Sequence, residues 1–400
     1  MEGTRRQILA ASGVFAAGLA GCLDGDSSDD TGEDEEEPTD EPGSDGLLYA
    51  FSPDSVAVID PDDGTVLEEI TEGIADATWG DPQLTSDHST CFVIEQSRSQ
   101  VIVIDTDQRA VVDEVDVGPD ATHSYLPRDG EIWVHSDAEG AFYVIDTEER
   151  SVSGIVEASL EGTGHGKLLA HEDLGGVGFG TNVDDPGLSV IDLEERERTA
   201  FIEFGDNGGT HYKAYSPESD LVYAEFGDET VVVDPEEETV VDQLPFSGGM
   251  YLTPDEQLLG VLDGDEVALV DATDTDSTVV DRIDVGGGPD ALRFHDAGGT
   301  LYGVTANTQD DQAAILDINA GEVLERVDIG EMERPEDAPF LHRTGVAADG
   351  VFASPADADG TVALVDIEAM ERTEHVEVAE GVDTLQFVAD SGVGYTGRVR

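Results

Sequence analysis

The chain has 400 residues, 92 of them acidic and 18 basic, for a formal net charge of −74 at pH 7. That balance excludes nucleic-acid binding through a basic face, because neutralising phosphates takes clustered Lys and Arg. The cysteines are Cys22, in the leader, and Cys91, so the domain can form no internal disulfide and no cysteine-based zinc cluster.

Residues 1–22 read as a secretory signal. Arg5 and Arg6 precede an uncharged apolar stretch, Ile8 to Ala20, that is short for a bilayer span. The paired arginines favour the twin-arginine route. Leu19-Ala20-Gly21-Cys22 resembles a lipobox, the cleavage and lipidation site of prokaryotic lipoproteins. The expectation is a mature chain that starts at Cys22 and is held by lipid on the outer face of the cytoplasmic membrane. Residues 23–46 carry twelve acidic residues and no basic ones. Such a segment buries too little apolar surface to offset its chain entropy, so it is expected to be a disordered, self-repelling linker.

From residue 47 to 400 one pattern recurs. Eight β-branched apolar runs each end in an aspartate: Asp60, Asp105, Asp146, Asp192, Asp234, Asp271, Asp317 and Asp366. Runs of this kind read as buried strands, and their return every 37 to 49 residues marks a closed repeat architecture. The unit is clearest at 211–246, where four strands separated by turn residues fit. The terminal aspartate can accept hydrogen bonds from the backbone of the turn that follows, which gives its recurrence a structural cause. Four-stranded sheets around an axis make a β-propeller, all-β and here eight-bladed, with seven blades as the alternative. Thr384–Val388 reads as strand one of the closing blade, and Ser55–Asp60 and Thr65–Ile70 as strands three and four. Gly392–Thr396 and Leu47–Phe51 compete for strand two.

The unit resembles the YVTN family of surface and extracytoplasmic propellers, related to lactonase-type repeats. The likeness rests on Val-x-Val-Ile-Asp, a turn, a β-branched strand, Gly, and a first strand ending in variants such as Ser216-Pro217-Glu218 or Thr253-Pro254-Asp255. It implies an extracytoplasmic propeller and leaves the activity open. The acid-rich composition, with only Lys167 and Lys213 as lysines, resembles proteins of salt-loving archaea.

Aligning first strands on Pro217 and its equivalents singles out two columns. Six residues before that point stand His165, His211, Asp290 and Asp383, with His342 nearby; four before it stand His123, Lys167 and Lys213. First strands open onto the central channel, and residues two apart point the same way. The channel mouth is therefore expected to gather His123, His165, Lys167, His211, Lys213 and His342. No P-loop, Gly-x-Ser-x-Gly, His-Glu-x-x-His or c-type haem motif is present.

Three readings follow. The first is a non-catalytic, lipid-anchored binding or interaction module whose ligand at the mouth is a small anion, a metal ion or an extracytoplasmic protein. The second is a metal carrier. The repeat plan is similar to that of periplasmic zinc-chaperone propellers, which implies ligation by His123, His165, His211 and His342 with Asp290 or Asp383, although no His-rich loop is present. The third is an enzyme, since the eight-bladed haem-d domain of a nitrite reductase and the lactonases are similar in plan. No cofactor is named by the residues themselves.

Overall fold

The computed structural model describes residues 46–388, apart from 207 and 336–340. The leader with Cys22, nearly all of the acidic linker and the strand read at Gly392–Thr396 lie outside the described residues. Eight four-stranded antiparallel sheets form an eight-bladed propeller. The innermost strands are Trp79–Leu84, Ala121–Arg128, Leu168–Ala170, Lys213–Ser216, Met250–Leu252, Pro289–Ala297, Val346–Ala348 and Thr384–Phe387. They belong, in that order, to blades 2 to 8 and then blade 1.

Blade 1 closes the ring with one C-terminal strand and three N-terminal ones. Leu48–Ser52 takes the contested second place, pairing Thr384–Phe387 on one side and Ser55–Asp60 on the other. The reason is local: only Pro53 and Asp54 separate Leu48–Ser52 from Ser55–Asp60, so that hairpin closes at little entropic cost.

All eight repeating aspartates end the third strand of a blade, and each accepts a backbone N–H from the following turn. Examples are Glu236 and Glu237 onto Asp234 at 3.0 and 2.9 Å, and Ala369 onto Asp366 at 2.8 Å. The same side chain thus stops the strand and orders its turn eight times. Beyond it, the fourth strand carries a register shift in every blade, which adds the twist a propeller blade needs.

Apolar side chains from facing sheets pack between blades. Tyr49, Phe51, Val56 and Val58 of blade 1 meet Trp79, Cys91, Val93 and Ile102 of blade 2. Each such aliphatic residue contributes about 1.5–3 kcal/mol of burial free energy. Trp79 and Trp133 are core residues: the Trp79 indole donates to the Ser52 carbonyl at 2.8 Å, and that of Trp133 to Glu131 at 3.0 Å. Among the described residues, no helix is long and apolar enough to cross a membrane.

Candidate metal centre

Three of the histidines expected at the channel mouth reach one another by two routes. His165 and His211 sit just before the inner strands Leu168–Ala170 and Lys213–Ser216. Glycines flank His165 because the backbone there runs tight against its neighbours. A Cβ at Gly166 would lie 2.3 Å from the Thr181 carbonyl oxygen and 3.0 Å from His135 Nε2. His123 arrives differently. In blade 3, Ala121 pairs with Ser136 and Ser124 with Val134, so Thr122 and His123 together face one residue. This bulge turns His123 to the axis, a common use of bulges beside functional sites. The inner strands of blades 2 and 7 carry comparable register shifts, which accommodate Asp81 and Asp290.

Three imidazoles converge. His123 Nε2 lies 3.1 Å from His165 Nε2, which lies 3.1 Å from His211 Nε2, and one ligand atom from each falls within 4.8 Å of the others. No other group of three such ligand residues occurs among the described residues. Behind the ring stand carboxylates. Asp81 takes the Nδ1 of His123 at 2.7 Å, Asp137 takes that of His165 at 2.7 Å, and Glu225 lies 3.9 Å from that of His211. Asp137 is itself fixed, accepting from His135 Nδ1 at 2.9 Å and Thr122 Oγ1 at 2.8 Å.

These carboxylates decide the tautomers. Burial raises the Asp137 pKa, but the bonds from His135, His165 and Thr122 outweigh it and hold the group well below the usual carboxylate range. Burial pushes Asp81 up to about 6, against the pull of Lys167 and His165, which leaves it ionised at neutral pH. An ionised carboxylate only accepts, so the Nδ1 of His123 and of His165 carries the proton. Their Nε2 atoms are then bare lone pairs facing one another at 3.1 Å, and a cation between them removes the conflict. Protonation is the poorer remedy: burial, and then Lys167, hold His123 and His211 well below the ordinary histidine value.

Lys167 and Lys213 lie deeper, 3% and 1% exposed. The Lys167 ammonium sits 4.8 Å over the Tyr212 ring and the Lys213 ammonium 5.2 Å over that of Tyr125. Burial lowers the pKa of both, that of Lys213 most strongly. The His342 side chain is 65% exposed and lies 3.4 Å from the Asp290 carboxylate, which also accepts the Arg343 backbone N–H at 2.7 Å. Asp383 approaches blades 1 and 8 instead: its N–H donates to the Phe51 carbonyl, and its own carbonyl accepts from Thr344. Thus His123, His165 and His211 come together, while His342, Asp290 and Asp383 stand outside the group.

Sequence reasoning passed over Asp81, Asp137 and Glu225, which lie on second strands or in a neighbouring blade. Nor does either aligned column contain His135. His135 is fully buried on the second strand Glu131–Ser136, held by Asp137.

No family model matches the chain, and no curated protein matches it in sequence. Solved structures do. The dihydro-haem d1 dehydrogenase NirN, in complex with DHE, superposes with a TM-score of 0.70 at 14% identity, covering 88% of this chain and 77% of its own. Apo AztD from Citrobacter koseri gives 0.62 at 17% identity, covering 87% of this chain and 98% of its own. At these identities the likeness is one of fold.

Proposed function

We propose that this protein is a metal-binding β-propeller that takes a divalent ion of the zinc class at the channel mouth, through Nε2 of His123, His165 and His211. The observation that carries the reading is the convergence of three Nε2 atoms, two of them backed on the far ring nitrogen by carboxylates at 2.7 Å. Carboxylate–histidine–metal relays of this form fix the ring and raise its basicity. At a metal–nitrogen distance of ~2.0–2.1 Å, neighbouring nitrogens of a tetrahedron stand ~3.3–3.4 Å apart, close to the 3.1 Å contacts here. Three protein ligands leave a fourth position for water, an anion or a donor from a partner that receives the ion. Asp81, Asp137 and Glu225 offset the ion's charge, and depressed lysine basicity limits repulsion.

The neighbour that binds a haem d1 derivative raises a second ligand class. A cofactor that brings its own metal ligands would need few donors from the protein, whereas three Nε2 atoms here share one point. The geometry favours a bare ion. The leader supports a lipid-anchored, extracytoplasmic setting through Cys22, with the acidic linker as a stalk. Delivery or storage of the ion outside the membrane fits the absence of a recognisable nucleophile or catalytic motif.

The test is equilibrium dialysis of the metal-stripped protein against zinc, with elemental analysis. Wild type is expected to hold one tight equivalent, and the His165→Ala, His211→Ala double variant none. Equal stoichiometry in the two would remove the site.

A further inference from the structure

We propose a second site at the opposite end of the channel, for a small organic monocarboxylate with an apolar or aromatic body, anchored by Arg293. It does not rest on the metal reading. A cavity of about 740 Å³, its open mouth included, lies against the far ends of the inner strands of blades 4 to 7. It is walled by residues such as Leu169, Tyr215, Tyr251, Leu292 and Phe294. Its lining is mostly apolar with a few placed polar groups, the usual make-up of small-molecule pockets.

The placed group is Arg293. Its side chain belongs to a residue only 4% exposed. The guanidinium lies over the Tyr251 ring at 5.3 Å, and one Nη donates to the Leu292 carbonyl at 2.9 Å. Its buried Nε has no partner, and no described carboxylate lies within 4.0 Å. Arg343, equally buried, makes the contrast. It donates to Ser354 and to the carbonyls of Asn307, Ile329 and Gly330, and has Asp311 at 3.6 Å. Arg343 is a structural arginine with its bonds made. In a chain with 92 acidic residues, Arg293 lines a cavity with no carboxylate paired to it: Leu292 and the Tyr251 hydroxyl take part of its fork, and its Nε is left unanswered.

An arginine stays charged when buried, so leaving it without an anion costs stability. A carboxylate entering the cavity would accept from the fork in a charge-assisted pair. The aromatic walls would cover the rest of the ligand. Glu256, the one acidic residue in the lining, sets the charge limit: a second carboxylate on the ligand meets a like charge.

The experiment is isothermal titration calorimetry with 3-phenylpropionate and its neutral amide, 3-phenylpropanamide, on wild type, Arg293→Met and the His165→Ala, His211→Ala variant. Wild type is expected to bind the acid at least about tenfold more tightly than the amide, as loss of a charge-assisted hydrogen bond predicts. Arg293→Met should lose that preference, and the histidine variant should keep it. Equal affinity for acid and amide, or no saturation by the acid at millimolar concentration, overturns the proposal. So does a preference that survives in Arg293→Met, or one lost in the histidine variant, which would move the carboxylate to the metal centre. If Arg293→Met fails to fold by thermal melting, the acid–amide comparison on wild type decides alone.

Discussion

Asp137→Asn isolates the shell behind the metal centre from the ligands themselves. Asp137 touches no metal position, yet it accepts hydrogen bonds from His165, His135 and Thr122 at 2.7, 2.9 and 2.8 Å. An asparagine of the same shape has one acceptor oxygen and no charge. It can hold one imidazole Nδ1–H, and its amide N–H₂ would confront the other. His165 then loses either its orientation or the polarisation that makes its Nε2 a strong donor. Changes of this kind cost about 10–100-fold in metal affinity, or ~1.4–2.8 kcal/mol. The assay is competition for zinc against a chromogenic chelator, with thermal melting as the folding control. One equivalent should still bind, but more weakly by that factor. Affinity within about twofold of wild type, in a folded variant, would refute the relay from Asp137 through His165 to the ion.

Three more outcomes follow from the same geometry. Burial keeps His123 and His211 neutral well below the ordinary histidine value, so zinc should be retained as pH falls through about 6.5 and released only below it; dialysis of the loaded protein from pH 7.5 to 5 checks this, and half-release at or above pH 6.5 contradicts it. Cys91 is fully buried and its thiol is pushed up to about 12, so an aromatic disulfide reagent should label it only as the domain unfolds; rapid labelling of folded protein would place it elsewhere. Cys22→Ser in the expressing cell should release a folded domain from the membrane fraction, since lipid is the proposed anchor and an acidic linker has no affinity for bilayers; membrane association that persists in this variant would end the lipid reading.

The blades were legible because one local device recurs. An apolar run ending in aspartate builds a third strand and its turn from a few contiguous residues, as Asp234 with Glu236 and Glu237 shows. Ring closure was half legible: Leu48–Ser52 and Gly392–Thr396 look alike as strings, and the hairpin to Ser55 settles the second strand. His165 and His211 share a place in consecutive repeats, which counting back from the turn finds. The same count set His123 beside the lysines. Blade 3 has a shorter first turn and two register shifts, and the bulge after Ala121 brings His123 to the other histidines. The carboxylate shell was beyond the count. Asp81 comes from the preceding blade, and Asp137 follows a second strand, so their link to the imidazoles exists only once the blades are packed. His135 stays silent for the same reason: nothing in Trp-Val-His-Ser announces that Asp137 meets its ring inside the fold.

The central claim is that three imidazoles on three blades share one ion. X-ray absorption at the zinc edge, on protein loaded with one equivalent at neutral pH, addresses that most directly. Three imidazole nitrogens at ~2.0–2.1 Å and one exchangeable oxygen-type ligand are expected in a four-coordinate site, falling to fewer imidazoles in His123→Ala. A coordination shell dominated by oxygen, or an imidazole count unchanged in that variant, would contradict it.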